Sequence, residues 1–226
     1  MFDRISGRYD AMNSVMSAGL HHRWRARTAD VAGVGRGDDA LDVCCGTGDL
    51  ALELRRRVGP EGRVVGLDFS APMLELAARK SDVAGAPVEW VEGNALELPF
   101  GDAGFDAATV GFGVRNVADL AEGIREMVRV VRPGGRVAIL EITTPRRPPL
   151  KWFYSVWFDR IVPLLGAVAG DREAYTYLPR SVRRFPPAYE LAALMHGAGL
   201  RDVRYVILAG GIVAIHWGTV PGGSSG

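Results

Sequence analysis

Over most of this chain, apolar residues come in short runs of four to six that alternate with longer stretches where they recur every three or four positions. The runs fall at Ala40 to Cys45, Arg63 to Leu67, Val88 to Val91, Phe105 to Val110 and Arg136 to Glu141; Asp49 to Val58, Pro72 to Lys80 and Val117 to Val131 carry the helical spacing. Nearly continuous apolar runs suit strands covered on both faces, and their alternation with helices predicts a parallel sheet with helices on both sides. Before the first run, residues 1–37 read as two helical pieces forming a cap. Phe2, Ile5, Tyr9, Met12, Val15 and Met16 pattern the first, and His21 to Ala32, with Trp24 among basic side chains, the second.

Residues 146–187 break the rhythm. They are rich in proline, arginine and aromatics, and Trp152, Phe153, Trp157 and Phe158 share one helical face, which reads as an insertion and not a solvated linker. A helix follows from Ala188 to His196, with Pro187 where a missing N–H costs nothing. Val203 to Leu208 and Ile212 to Trp217 then flank Ala209-Gly210-Gly211, a hairpin signal. The expected fold class is α/β: a Rossmann-like, doubly wound sheet of seven strands, mostly parallel with an antiparallel C-terminal hairpin, plus the helical cap and the aromatic helical insertion. Residues 1–220 make one domain, with its core at 38–145, the insertion at 146–187 and the closing helix and hairpin at 188–220. Residues 221–226, only Gly and Ser after Pro221, form a disordered tail.

With 226 residues and 48% hydrophobic content the chain can bury a full core. A net charge of +1 gives no long-range field to draw nucleic acid, and none is expected as a partner. Cys44 and Cys45 are adjacent, which suits neither a disulfide framework nor a metal site. Asp3, Arg4, Arg8 and Asp10 interrupt any secretory apolar core, and Ile161 to Ala169 is about half a membrane span, so a cytoplasmic protein is expected. Arg146, Arg147, Lys151 and Arg160 flank the aromatics of the insertion, a pattern that suits peripheral contact of residues 146–165 with the inner face of a membrane. A homo-oligomer is left open.

The chemistry centres on Leu41 to Ala51, where an apolar strand stops at a glycine turn and a helix begins. Gly46 and Gly48 let the backbone approach a ligand, and the helix points its first N–H groups at the same place. Gly46 to Ala51 fits a dinucleotide turn as well as a nucleoside turn. Asp68 closes the second strand and suits a carboxylate receiving two ribose hydroxyls; Asn94 and Ala95 follow the third strand, where an amide and a backbone N–H can read an adenine edge. Strand ends bring these residues to one crevice. Each has a plainer reading: Asp68 as a helix cap, Asn94 as a turn residue, Arg115 as a surface ion pair, Tyr9 as packing and His216 as a satisfied interior histidine.

These residues resemble the class I S-adenosylmethionine-dependent methyltransferases. The chain is similar, more narrowly, to the ubiquinone/menaquinone biosynthesis C-methyltransferases, through Phe2-Asp3 with Arg8-Tyr9-Asp10, Leu41 to Asp49, and Gly66 to Ser70 with Met73-Leu74. Phe112 to Val117, Tyr175 to Pro179 with Ser181, and Gly210-Gly211 with Ala214-Ile215-His216 extend the match over nearly the whole chain. The resemblance implies S-adenosyl-L-methionine as cofactor, held by Thr47, Asp68, Asn94 and Ala95 with Gly46 and Gly48 shaping the turn. It implies C-methylation of a lipophilic quinol, chiefly demethylmenaquinol; the alternatives are a benzoquinol ring or another small molecule as acceptor, or a non-catalytic cofactor-binding scaffold. Arg115 is the expected stabiliser of the developing phenolate, Asn116 the holder of a water or hydroxyl, and Tyr9 the residue that closes over the ring. Two positions depart from the wider pattern: Cys44 replaces a glycine, and Gly111 stands where some relatives carry a serine.

Overall fold

Glycines and caps set the limits of the elements in the computed structural model, which describes residues 19–145, 152, 181–182 and 184–222. Tyr9, the first helical piece, most of the aromatic insertion, the Tyr175 to Pro179 segment and residues 223–226 lie outside the described residues. Helix α1 (Leu20–Ala32) ends at Gly33 in the left-handed conformation, and strand β1 (Asp39–Val43) follows. Next come α2 (Asp49–Val58), β2 (Arg63–Asp68), α3 (Ala71–Ala84), β3 (Glu89–Glu92) and β4 (Phe105–Gly111). A 3-10 turn at Val114–Asn116 leads to α4 (Leu120–Val130) and β5 (Val131–Ile142). Helix α5 (Ala188–Gly197), β6 (Arg201–Leu208) and β7 (Val213–Thr219) complete the order.

The seven strands form one sheet in the order β3-β2-β1-β4-β5-β7-β6. Strands β1 to β5 pair in parallel, and β7 runs antiparallel between β5 and β6. Alternation divides the faces. Ala40 and Val64 pack with Ala29, Ala51, Leu54 and Val58 of α1 and α2, whereas Leu41, Val43, Val65 and Leu67 join Ile124, Met127, Leu191 and Met195 of α4 and α5. The α/β class, the seven strands and the terminal hairpin are therefore as the apolar pattern predicts.

Several boundaries shift from the sequence-based expectation, β1, β6 and β7 among them, and three of the shifts have a clear local reason. Helix α4 begins at Leu120 and not Val117, because the 3-10 turn intervenes and the Asp119 side chain caps α4 by accepting from the Glu122 N–H at 3.0 Å. Strand β5 begins at Val131, ahead of Arg136; the register with β4 shifts between Phe105 and Ala107, so Pro133, Gly134 and Gly135 are absorbed as a bulge. Helix α3 runs on past Lys80 to Ala84, where Gly85 at φ 57° stops it and donates to the Ser81 and Asp82 carbonyls.

Candidate active site

Strand β1 is buried from Ala40 onward and lies between β2 and β4, so the chain leaves it at the rim between those two strands. Cys44 makes that exit at φ 52°, in the left-handed region where a side chain is disfavoured by about 1–2 kcal/mol. This is the position where the wider pattern has glycine. Cys45 N–H still reaches the Leu67 carbonyl at 2.9 Å, and Gly46 and Gly48 follow at φ 54° and 81°. The two glycines have different reasons. A Cβ on Gly48 would lie 2.5 Å from the Trp90 indole, whereas one on Gly46 would meet nothing within 4 Å and would stand in open space beside the turn.

That space is a cavity of about 370 Å³ at the carboxyl ends of β1, β2 and β4. Its wall brings together Gly46, Thr47, Asp68, Asn94, Ala95 and Asn116, all singled out in the sequence. Asp68 is buried; its Oδ2 accepts from Gly46 N–H at 2.8 Å and its Oδ1 from Ser70 N–H at 3.0 Å. The carboxylate thus ties the end of β2 to the glycine turn, and each of its oxygens can accept more than one hydrogen bond. The exposed Asn94 accepts from Leu96 N–H at 3.0 Å through Oδ1, while Gly93 N–H donates to the Asp68 carbonyl at 3.0 Å, which fixes the loop that presents Ala95. Gly48 shapes the turn from behind and is not in the wall.

Arg115 is also absent from the wall. Its guanidinium pairs with Glu141 at 2.7 Å, with the two side chains 6% and 1% exposed, and it also donates to the Phe112 carbonyl. The Glu141 carboxylate accepts in addition from the Arg115 and Ile142 N–H groups, at 3.2 and 2.8 Å. The plainer expectation of a surface ion pair is corrected at this point: the pair is buried, and it holds the Phe112 to Asn116 bend.

Four wall or near-wall residues had not been singled out. Arg25 reaches the cavity from α1 and lies 3.1 Å from Asp49; Lys80 donates to Asp49 at 2.7 Å and to Thr47 Oγ1 at 2.9 Å. Asp42 is 1% exposed and accepts from Thr109 at 2.8 Å, while its Oδ2 faces the Ala51 amide without a well-formed hydrogen bond. The acidic residue directly after Gly48, in the first turn of α2, was a readable signal for Asp49. Arg25 and Lys80 become visible only when helices are placed over the sheet.

Burial governs titration here. Loss of water raises both thiols at Cys44 and Cys45, and the nearby Asp42 and Asp68 carboxylates add to it, so neither sulfur is a ready thiolate. Burial likewise pushes Asp42 up to about 7, against the lowering effects of Thr109, Arg25 and the Ala51 amide. Outside the cavity, His216 is 1% exposed, its Nε2–H donates to the Ala188 carbonyl at 2.8 Å, and the Tyr205 ring stacks on it; burial holds it down at about 4. His216 is therefore an interior histidine.

Asp42 and His216 have opposite linkage. Between pH 4 and 6.5 the unfolded chain carries a proton on His216 that the folded one lacks, so that contribution is complete above pH 6.5 and is lost as pH falls towards 4. Asp42 does the reverse, because the folded state keeps its proton up to about pH 7 while the unfolded state releases it near 3.8. In urea titrations, the stability difference between wild type and His216→Leu should grow by about 1.4 kcal/mol per pH unit across that window, and the difference from Asp42→Asn should shrink by about as much. Differences that stay flat with pH would contradict both assignments.

Residues 1–220 match the family model described as the ubiE/COQ5 methyltransferase family. Among similar proteins, a demethylmenaquinone methyltransferase of Roseiflexus castenholzii is 48% identical over 219 residues, covering 96% of this chain and 91% of that one. One of Thermus thermophilus is 45% identical over 222 residues, covering 98% and 100%. In fold, the chain is similar to a SAM-dependent methyltransferase from Aquifex aeolicus, at a TM-score of 0.65 and 20% identity over 87% of this chain and 89% of the other. The [4+2]-cyclase SpnF is similar too, with a TM-score of 0.69 and 20% identity over 89% and 82%. A cyclase and a methyltransferase at the same distance show that these two likenesses carry the architecture and not the reaction. The match over residues 1–220 and the identity to full-length relatives carry more: the chain belongs to the ubiE/COQ5 methyltransferase family.

Proposed function

We propose that this chain transfers the methyl group of S-adenosylmethionine to a ring carbon of a prenylated quinol, with demethylmenaquinol as the acceptor. The observation that carries this reading is identity of 42–48% along nearly the whole chain to relatives named demethylmenaquinone methyltransferase. The cavity is compatible with the cofactor. Gly46 leaves room for close approach of a ligand, Asp68 offers a buried carboxylate to a ribose, and Asn94 with Ala95 offers an amide and a backbone N–H to an adenine edge. When bound, the cofactor supplies an electrophilic methyl group on a sulfonium.

What remains for the protein is to orient a nucleophilic carbon, exclude bulk water and stabilise the phenolate formed when the ring hydroxyl gives up its proton. As the new carbon–carbon bond forms the methyl–sulfur bond breaks, and the proton on the methylated carbon then leaves to a base or water so that the ring is aromatic again. The acceptor must be reduced, since a quinone ring is itself electrophilic and only a hydroquinol or its phenolate pushes electron density onto the adjacent carbon. In this reading Asn116, in the cavity wall, holds a ring hydroxyl or its water. Arg115 acts from behind the wall, through its field and its hold on the Phe112 carbonyl, and Tyr9 closes over the ring. A guanidinium stays protonated, so Arg115 serves as a charge stabiliser and not as the base.

Contact of residues 146–165 with a bilayer surface belongs to the same reading, because a prenylated acceptor resides there; the 73% exposure of Trp152 supports it. Among the described residues no helix is long and apolar enough to cross a membrane.

The test is a competition. The chain is incubated with S-adenosylmethionine and equal amounts of short-chain reduced naphthoquinol and benzoquinol, and the products are weighed by mass spectrometry. The expected product is the naphthoquinol carrying one added methyl group. A methylated benzoquinol would reassign the ring, and bound cofactor with neither product would favour a non-catalytic scaffold.

A further inference from the structure

Helix α1 turns one stripe towards the core: His21, Arg25, Thr28, Ala29 and Ala32 are buried, at the three-to-four spacing of a packing face. An aliphatic residue would be ordinary at the second of these positions. Arg25 stands there instead, 7% exposed and lining the cavity. Burying a cation is costly unless it is paired and hydrogen-bonded. Its partner, Asp49, lies 3.1 Å from Nη1, yet that buried nitrogen has no aligned hydrogen bond, and Asp49 is also claimed by Lys80 at 2.7 Å. Two cations therefore share one carboxylate, Arg25 from the cavity wall and Lys80 from just outside it. Asp42 adds little negative charge, since burial keeps it largely protonated below about pH 7.

The sheet order puts this positive end opposite the nucleoside end. Asp68 stands at the end of β2, on one side of β1, whereas Gly111 and Phe112 of the wall stand at the end of β4, on the other. The Arg25 guanidinium lies 5.9 Å from the centre of the Phe112 ring, which fixes it on the β4 side. A cofactor whose ribose meets Asp68 and whose chain crosses the Gly46 turn brings its amino-acid end here.

We infer that Arg25 binds the α-carboxylate of the cofactor's amino-acid moiety, with Lys80 and Asp49 completing a net positive seat for it. The inference rests on the S-adenosylmethionine reading above. Arginine suits the task because its planar fork of N–H donors matches a carboxylate, and a seat already buried needs little reorganisation when the ligand arrives.

The test compares two nucleosides by isothermal titration. S-adenosylhomocysteine carries the amino-acid end and 5′-methylthioadenosine lacks it. Arg25→Ala is expected to weaken S-adenosylhomocysteine by on the order of tenfold to a hundredfold, as for a lost hydrogen bond to a charged group, and to leave 5′-methylthioadenosine within about twofold. Arg25→Lys, which keeps the charge but loses the fork, should recover part of the loss, and it carries the same comparison where the alanine variant unfolds. Equal loss for both nucleosides, loss for neither, or a change confined to the quinol KM overturns the inference. Wild-type protein that binds neither nucleoside overturns the cofactor reading beneath it.

Discussion

Replacing Glu141 by leucine while Arg115 stays in place is expected to cost about 3–5 kcal/mol of folding stability, because it strands a guanidinium away from water. The geometry makes this pair hard to relax. The carboxylate is 1% exposed and takes donors from the Arg115 side chain, the Arg115 N–H and the Ile142 N–H, so one substitution leaves three donors short of an acceptor. Arg115→Leu should cost a similar amount, by stranding the anion. The double variant, Arg115→Met with Glu141→Leu, should recover the part of that loss owed to the stranded charge, since a buried ion pair exchanged for apolar side chains of similar volume is often neutral, but not the part owed to the two backbone N–H groups that still lack an acceptor. Urea unfolding of the four proteins gives these values, and it also separates two roles that a single variant confuses. If the double variant folds well and turnover per folded molecule falls steeply with cofactor binding intact, Arg115 contributes to the reaction. If turnover is kept, the pair only holds the Phe112 to Asn116 bend, and the phenolate assignment fails.

That ambiguity reflects what a sequence can carry. Helix α2 is legible at its observed limits, because glycines bracket it: Gly48 before Asp49 and Gly59 after Val58. Asp68 and Gly46 are legible as members of one crevice because each stands at or just past the carboxyl end of a strand in a parallel sheet, whereas the hydrogen bond between them is seen only in the structure. The Arg115–Glu141 pair has no such local mark. Glu141 sits in an apolar run where one charge looks like an edge, and its burial depends on β7 covering the flank of β5. The hairpin signal announced two antiparallel strands but not which lies inside. Val213 to His216 are buried, whereas β6 exposes Tyr205 and Ile207, and this difference places β7 inside the sheet and β6 at its edge. Arg25 is hidden for a third reason: helical periodicity marks which positions face inward, and an inward arginine reads as an exception until the cavity gives it something to face.

Asp68→Ala is expected to remove cofactor binding by more than about a hundredfold, as measured by titration with S-adenosylhomocysteine, with a smaller loss of stability. Three effects act in the same direction. The ribose hydroxyls lose a charged acceptor, worth about 1.5–3 kcal/mol by itself. The Gly46 and Ser70 N–H groups, at 2.8 and 3.0 Å, lose theirs as well. Gly46, held at φ 54° with nothing packed against its open side, then has less to keep the turn in the conformation that admits a ligand. Asp68→Asn separates these effects in part. Its carbonyl oxygen still accepts one of the two backbone N–H groups, so the loss of stability should be smaller than for Asp68→Ala, while affinity drops by about tenfold, the cost of exchanging a charged acceptor for a neutral one. Should both variants bind the nucleoside as wild type does, Asp68 is the helix-entry residue of its plainer reading, and the nucleoside end of the cavity must lie elsewhere along the wall.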